Sequence, residues 1–200
     1  MRIAWMLGWA APEAWFAAIA REALPAAEHI FIPATAEAVG QLAAAGPCDW
    51  IAGYSLGTLL LLKEANRFAG QKVALLAPIF AFPSEEALGG RISRAQVRQL
   101  ARWLRREPLA ALADFYQRAG LDVPAGLHPE TNENLLWGLE RLEKDRVEPP
   151  LPANWRAWCG SRDALLHADL LRVAGPTLSV VPEATHHPRA LIQAWTQTFA

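Results

Sequence analysis

Residues 48–63 of the chain read CDWIAGYSLGTLLLLK. The apolar residues that precede Gly53 are typical of a buried β-strand, and the leucine-rich segment that follows Gly57 is typical of a buried helix. Between them Ser55 stands midway in the pattern Gly-x-Ser-x-Gly. This spacing predicts a sharp strand-to-helix turn, because side chains two residues before and after the serine would collide there and glycine removes both collisions.

The predicted turn also indicates what the Ser55 hydroxyl can do chemically. At such a turn the hydroxyl projects clear of the sheet, where a substrate can reach it. The following helix directs its N-terminal N–H groups toward the same place, so the backbone of Leu56 is a candidate oxyanion donor. A serine is a weak nucleophile until a base takes its proton, and imidazole is the suitable base near neutral pH. The motif therefore predicts a nucleophilic serine with a histidine partner.

Apolar segments alternate with helical segments over the first 79 residues and again near the C-terminus. This alternation implies right-handed β-α-β crossovers and an α/β fold with a doubly wound, mostly parallel sheet. The predicted strands cover residues 2–7, 30–33, 48–54, 72–78, 155–160 and 177–181, and the predicted helices cover residues 13–24, 36–45, 56–63, 165–173 and 188–199.

The alternation stops between residue 80 and about residue 150. This interval shows no convincing strand, only helical segments at 93–106, 108–119 and 132–146. Roughly seventy helical residues placed between two strands of one sheet cannot join that sheet and must pack above it. We therefore expect a core formed by residues 1–79 and 151–200, with residues 80–150 inserted as a helical cap or lid.

The composition is that of a single globular domain, with 200 residues of which 52% are hydrophobic and 20% charged. The net charge of -1 gives no nucleic-acid signature. Cys48 and Cys159 are too few for a cysteine-based metal site, and we expect no metal or organic cofactor. The apolar N-terminal segment is interrupted by Gly8, and no apolar run approaches the ~20 residues needed to cross a bilayer. We expect a cytoplasmic protein without membrane or nucleic-acid partners.

An aspartate and a histidine follow Ser55 in a recognisable order. The segment Gly160-Ser161-Arg162-Asp163 comes after a late predicted strand, and Ala184-Thr185-His186-His187-Pro188 comes after the last one. In this order of nucleophile, acid and base the chain resembles the α/β-hydrolases over nearly its whole length. The resemblance implies six parallel strands in the family order 4-3-5-6-7-8, without the family's first two strands.

Within that superfamily the chain resembles the pimeloyl-[acyl-carrier-protein] methyl ester esterases of biotin synthesis. The resemblance rests on Leu7-Gly8-Trp9, Trp15, Tyr54 and the Ala-Thr-His-His-Pro segment, although such enzymes usually show His-Gly-Trp at the first of these motifs. It implies that Trp9 supplies an oxyanion N–H group and that Tyr54 lies among the substrate-binding residues.

The resemblance also implies roles for the acid and the base. Asp163 would orient the imidazole and stabilise its charged form. Because the family places one residue between the base and a proline, His186 is the expected base, and His187 is the alternative. We interpret the other three histidines, His29, His128 and His167, as ordinary polar positions.

An arginine-rich face is predicted on the first helix of the cap. Arg94, Arg98, Arg102 and Arg105 recur at spacings of four, four and three, and Arg91, Arg106 and Arg118 add further charge nearby. The face is either an ordinary solvated surface or a docking surface for an acidic carrier protein, since clustered arginine pairs with phosphate and carboxylate.

These observations lead to one preferred function and two alternatives. The preferred function is a serine carboxylesterase that cleaves the methyl ester of pimeloyl-acyl-carrier protein. One alternative is a generic hydrolase of small esters, thioesters or lipids with the same three residues. The other is a non-catalytic relative that binds a ligand in a capped pocket.

Overall fold

The computed structural model describes residues 1–127, 130–175 and 177–199. Short 3-10 turns extend several of its elements. The strands are β1 Arg2–Met6, β2 Glu28–Ile32, β3 Trp50–Tyr54, β4 Val73–Leu76, β5 Ala81–Pro83, β6 Gly89–Ile92, β7 Trp155–Gly160 and β8 Leu178–Val181. The helices are α1 Glu13–Ala23, α2 Ala38–Ala44, α3 Leu56–Lys63, α4 Arg94–Arg106, α5 Pro108–Ala119, α6 Asn132–Lys144, α7 Ala168–Leu171 and α8 Pro188–Thr196.

The main sheet has six strands in the order β2-β1-β3-β4-β7-β8, and every neighbouring pair is parallel. This order confirms the predicted α/β class and the predicted strand sequence. Strand β4 is buried at all four residues, as expected for a central strand covered on both faces.

The chain leaves three of these strands at the same edge of the sheet. Strand β3 ends at Tyr54, β7 at Gly160 and β8 at Val181. Because the strands are parallel, the loops after them meet at the carboxyl edge. Ser55, Asp163 and His186 all lie in or directly after these loops, so the topology brings distant parts of the sequence together.

Aromatic side chains fill the core beneath helices α1 and α8. The Trp5 ring of β1 lies 5.3 Å from Phe16 of α1 and 5.4 Å from Trp195 of α8, both in edge-to-face geometry. All three side chains are completely buried.

The longest described helices have 13 residues. In the parts of the chain that the structure describes, no helix is long and apolar enough to cross a membrane.

Helices α4, α5 and α6 form the insertion between β4 and β7, with α4 packed against both of the others. The prediction that residues 80–150 contain no strand was wrong, because β5 and β6 pair in parallel as a small second sheet. These strands have only three and four residues, too few for a periodic pattern to show. The pairing depends on Gly90, since a Cβ atom there would collide with the carbonyl oxygen of Phe82.

Candidate active site

Ser55 occupies the strained turn that the glycine spacing predicts. Its φ is +51° and its ψ is -119°, between the end of β3 and the start of α3. A Cβ atom at Gly57 would collide with the backbone carbonyl of Met6, and one at Gly53 would lie 2.8 Å from Cδ1 of Leu61. The two glycines therefore let α3 approach the end of β1 and the preceding strand closely enough to form the turn.

Thr58 stabilises this turn through two hydrogen bonds of its hydroxyl group. Its hydroxyl donates a hydrogen bond to the Ser55 carbonyl at 2.6 Å and accepts one from the Ile79 N–H at 2.9 Å. The side chain is completely buried, so both bonds are protected from competing water. The turn is thus tied to the segment that follows β4.

The side chains of Ser55, His186 and Asp163 form a continuous hydrogen-bonded chain. Ser55 Oγ lies 3.0 Å from His186 Nε2, and His186 Nδ1 lies 2.8 Å from Asp163 Oδ2. The other carboxylate oxygen of Asp163 accepts the N–H groups of Leu165 and Leu166 at 2.8 and 3.0 Å. A proton on Nδ1 satisfies the carboxylate and leaves Nε2 as an acceptor toward the serine.

Burial distinguishes this chain from an ordinary surface network. Ser55 is 8% exposed, while His186 and Asp163 are each 1% exposed. Burial keeps water from competing for the contact between the Asp163 carboxylate and the His186 ring. The arrangement can therefore hold a proton taken from the Ser55 hydroxyl.

The structure places the two adjacent histidines in different surroundings. His186 faces Ser55, whereas Nε2 of His187 lies 2.7 Å from Oδ1 of Asp122. Nδ1 of His187 accepts the Arg189 N–H at 3.2 Å, which caps the start of α8. His187 is thus engaged on both ring nitrogens away from the serine.

Asp122 also accepts a hydrogen bond from the Trp15 indole at 3.0 Å. The hydrogen bond from His187, followed by that from Trp15, lowers the pKa of Asp122 below its ordinary value. This cluster joins the loop that carries the histidines to α1 and to the segment after α5. No sequence pattern predicts this cluster, because its three residues lie far apart in the chain.

Tyr54, which the resemblance places among the substrate-binding residues, has its side chain packed inside the protein. It is 1% exposed, and its hydroxyl donates to the His186 carbonyl at 3.0 Å. Burial, with a smaller contribution from Asp163, raises its pKa well above the ordinary value, so the hydroxyl keeps its proton and remains a donor. Tyr54 therefore supports the histidine loop from inside the protein.

The two predicted oxyanion donors lie in segments that adjoin Ser55. Leu56 is the first residue of α3, where a backbone N–H has no acceptor within the helix. Gly8 precedes the other donor, Trp9, and a Cβ atom at Gly8 would lie 3.1 Å from Cβ of Ser55. The backbones of Gly8 and Leu56 therefore both lie next to Ser55.

Helix α6 of the insertion closes over these two segments. The Trp9 indole donates to the Leu135 carbonyl at 2.8 Å. One turn further along α6, a Cβ atom at Gly138 would lie 2.6 Å from the Trp9 ring and 3.1 Å from Cδ2 of Leu56. The position of α6 is thus coupled directly to the loop of Trp9.

Arg91, which the sequence grouped with the cap arginines, instead supports the loop of Asp163. Its backbone N–H donates to the Leu165 carbonyl at 2.9 Å, and its Nε donates to the Leu166 carbonyl at 2.8 Å. The N–H groups of the same two residues bind Asp163. A backbone carbonyl can accept a hydrogen bond whatever its residue type, so this role of Arg91 leaves no pattern in the sequence.

The four arginines predicted on one face of α4 divide into two pairs. Arg94 forms an ion pair with Glu86, and Arg98 forms one with Glu143 at 2.6 Å. The other pair borders a surface groove of about 570 Å³ near the end of α4. The residues lining this groove are Gln99, Arg102, Trp103, Arg105 and Arg106.

Of the remaining histidines, the two that the structure describes, His29 and His167, do not belong to the site. Nδ1 of His29 accepts the Trp5 indole N–H at 2.9 Å, and His167 precedes α7 as its N-cap residue. His128 lies outside the described residues. Within residues 1–127, 130–175 and 177–199, no group of three or more His, Cys, Asp and Glu side chains could hold a metal ion.

Known structures resemble this fold over the whole chain. No family model and no curated protein sequence matches the sequence of this chain. An esterase from Exiguobacterium antarcticum matches with a TM-score of 0.74 and 13% identity, and an esterase from a Rhodococcus species matches with 0.66 and 17%. A bottromycin epimerase matches with 0.66 and 13%. Each match covers 100% of this chain and 90% of the other.

These likenesses show that the chain has the α/β-hydrolase fold. Its structural neighbours include esterases and lipases, and they also include an epimerase. One fold supports several reactions, so the activity depends on the groups at the site and not on the fold.

Proposed function

We propose that this protein hydrolyses carboxylic esters with Ser55 as the nucleophile. The observation that carries the proposal is the buried chain from Ser55 Oγ to His186 Nε2 at 3.0 Å and from Nδ1 to Asp163 at 2.8 Å. A nucleophile in hydrogen-bond contact with a base, which a third group orients, is the arrangement that acyl transfer needs. The esterases among the structural neighbours support the same class of reaction.

The reaction follows from this geometry in two stages. His186 Nε2 takes the proton of Ser55 Oγ while that oxygen attacks the ester carbonyl, and Asp163 stabilises the charged imidazole. The N–H groups of Trp9 and Leu56 would stabilise the negative oxygen of the tetrahedral intermediate. His186 then gives its proton to the leaving alcohol. A water molecule, activated by the same nitrogen, releases the acid from the serine.

Replacing the nucleophile tests this function. We expect Ser55→Ala to lower kcat for p-nitrophenyl acetate by about a thousandfold or more, because the members of such a triad act as a unit. Ser179→Ala, at an exposed position of β8, is the matched control and should keep wild-type activity. Equal activity in the wild type and Ser55→Ala would refute the proposal.

The finer proposal concerns the substrate. We infer that the natural ester is the methyl ester of pimeloyl-acyl-carrier protein, with the carrier held at the arginine groove. The motifs around Gly8 and His186 support this inference, as do the exposed guanidinium groups of Arg102, Arg105 and Arg106 beside the half-buried Trp103. An acidic carrier protein would pair with such a cluster.

Charge reversal separates this substrate from a generic ester. We expect Arg102→Glu/Arg105→Glu to lower kcat/KM for the carrier-bound ester by about a hundredfold, since two attractive pairs become repulsive. A small ester should lose far less, and added salt should weaken only the carrier reaction. Arg21→Glu/Arg172→Glu, on other exposed surfaces, is the control. Unchanged rates on the carrier substrate would make the arginines an ordinary solvated face, and equal losses on both substrates would indicate a misfolded insertion.

A further inference from the structure

Residues 8–11 carry one of the proposed oxyanion donors, the Trp9 N–H group, and they include a strained residue. Ala10 has a φ of +55°, a left-handed conformation that alanine rarely adopts. The Ala11 N–H donates to the Gly8 carbonyl at 3.3 Å, so the four residues form a turn. A positive φ at the third position of such a turn favours glycine. The turn therefore depends on neighbouring groups that stabilise it.

Helix α5 of the insertion supplies one of these groups. The hydroxyl of Tyr116 donates a hydrogen bond to the Ala10 carbonyl at 2.8 Å. Ala10 is only 3% exposed, so water competes little for this carbonyl. Burial raises the pKa of Tyr116 above its ordinary value, so the hydroxyl keeps its proton near neutral pH and remains a donor.

The insertion also holds the side chain of Trp9. The ring of Phe115, which precedes Tyr116 on α5, lies 4.6 Å from the Trp9 ring in edge-to-face geometry. The Trp9 indole donates to the Leu135 carbonyl of α6 at 2.8 Å. The insertion thus fixes both the Trp9 side chain and the carbonyl of the next residue.

The core packs against the start of the same turn. A Cβ atom at Gly8 would lie 2.9 Å from Cδ1 of Tyr54 and 3.1 Å from Cβ of Ser55. The Gly8 backbone therefore has little room to move toward either residue. The Trp9 N–H group lies between this glycine, which the core contacts, and the side chain and carbonyl that the insertion holds.

We propose that Tyr116 is a positioning residue for ester hydrolysis, which acts through the Ala10 carbonyl to hold the turn that carries the Trp9 N–H group. The inference rests on the ester hydrolase function proposed above and does not depend on a carrier protein. Tyr116 itself does not touch the reacting atoms. Without its hydroxyl, a buried carbonyl loses this hydrogen bond, and the strained turn can relax away from its positive φ.

Such a relaxation should affect the transition state more than the bound ester. The oxyanion donors act on the negative charge that develops on the carbonyl oxygen, and the ground-state ester has little of that charge. Formation and hydrolysis of the acyl-enzyme both pass through a tetrahedral intermediate with this charge. When both steps slow equally, kcat falls and KM stays the same.

Tyr116→Phe tests the proposal because it removes only the hydroxyl group. We expect kcat for p-nitrophenyl acetate to fall about tenfold, with KM changed by less than about twofold. The rate is expressed per Ser55 labelled by a fluorophosphonate, so that a loss of folded protein does not imitate the effect.

Two inhibitors separate a displaced donor from a general loss of structure. Phenylethyl trifluoromethyl ketone adds to a nucleophilic serine and forms a charged tetrahedral adduct, and its Ki should rise about tenfold in Tyr116→Phe. Phenylethyl methyl ketone has the same shape but resists this addition, and its Ki should not change.

A second substitution tests the route through Ala10. Glycine adopts a positive φ without steric cost, so Ala10→Gly should restore part of the kcat that Tyr116→Phe loses. The control is Thr198→Val, which removes a hydroxyl that donates to the Trp195 carbonyl at 2.7 Å, after α8. It should change neither kcat nor the Ki of either ketone.

The outcomes distinguish this inference from the proposed function. An unchanged kcat in Tyr116→Phe, or a lower kcat with an unchanged Ki for the trifluoromethyl ketone, would overturn the inference while ester hydrolysis stands. If Tyr116→Phe does not fold, the same two measurements on Tyr116→Phe/Ala10→Gly decide, and wild-type values there would overturn the role of the hydroxyl. If the folded wild type neither hydrolyses the ester nor takes up the fluorophosphonate, the proposed function itself fails, and the inference fails with it.

Discussion

The carboxyl edge of the sheet and the helical insertion hold their polar side chains in opposite ways. At the sheet edge, Ser55, Asp163 and His186 are nearly inaccessible, and each is fixed by at least one hydrogen bond of 3.0 Å or less. On the insertion, Arg98 and Arg118 keep more than half of their side-chain surface exposed and pair only with neighbouring acids. The polar groups of the first region are held in the protein interior, and those of the second face solvent.

This difference assigns two tasks to two parts of the molecule. A buried network with little freedom is suited to proton transfer, since small displacements of the reacting groups cost a large part of the rate. Exposed arginines on helices are suited to selecting a charged ligand, and they can change without disturbing the core. Substitutions of the buried polar residues at the sheet edge should therefore change kcat, and those of the exposed arginines on the insertion should change KM.

The two adjacent histidines give the largest expected contrast. We expect His186→Ala to lower kcat by about a thousandfold or more, because the serine then lacks its base. His187→Ala should keep most of the activity, since its contacts are with Asp122 and the start of α8. Steady-state rates on one small ester measure both variants. The opposite result would identify His187 as the base.

Replacing one glycine in each region with alanine compares how tightly the sheet edge and the insertion are packed. Gly57→Ala places a methyl group against the Met6 carbonyl, which belongs to the sheet and cannot move, so we expect a loss of about 3 kcal/mol in unfolding free energy or failure to fold. Gly138→Ala meets the side chain of Trp9 instead. Both residues are helical, so the change to alanine also raises the helix propensity in each case.

The readouts for this pair differ. Chemical denaturation should show Gly138→Ala to be folded with near wild-type stability, while its kcat/KM falls about tenfold, because the Trp9 loop beside Ser55 is displaced. Equal instability of both variants would contradict the separation of core and insertion.

The smallest expected effect is the pH dependence of the contact between Asp122 and His187. The folded state lowers the pKa of Asp122, so the carboxylate contributes stability that is full above the unfolded value of about 3.9 and disappears as pH falls through the lowered value. The difference in unfolding free energy between the wild type and Asp122→Asn should therefore be present above that unfolded value and vanish in acid. Asp169→Asn, at a highly exposed acid, is the control. A difference that grows toward low pH would contradict the assigned hydrogen bond.

The sequence predicted the sheet well because its evidence is local. Glycine spacing around Ser55 and continuous apolar strands are visible in a few neighbouring residues, and their outcome follows from sterics and burial. The small sheet of β5 and β6 was missed because its strands are too short to show a period. Contacts between distant residues were also missed, as with Arg91 and the backbone of the Asp163 loop. The interior position of Tyr54 was not predicted, because a motif shows where a residue lies in a strand and not which way its side chain points.

Covalent labelling with a fluorophosphonate tests the central claim most directly. The wild type, Ser55→Ala and His186→Ala would be incubated with the probe, and the modified peptide would be identified by mass spectrometry. We predict that the wild type takes up a single label on Ser55, that Ser55→Ala takes up none, and that His186→Ala reacts far more slowly. Folded wild-type protein that stays unlabelled, or that carries the label on another residue, would contradict the account and favour a capped protein that binds its ligand without cleaving it.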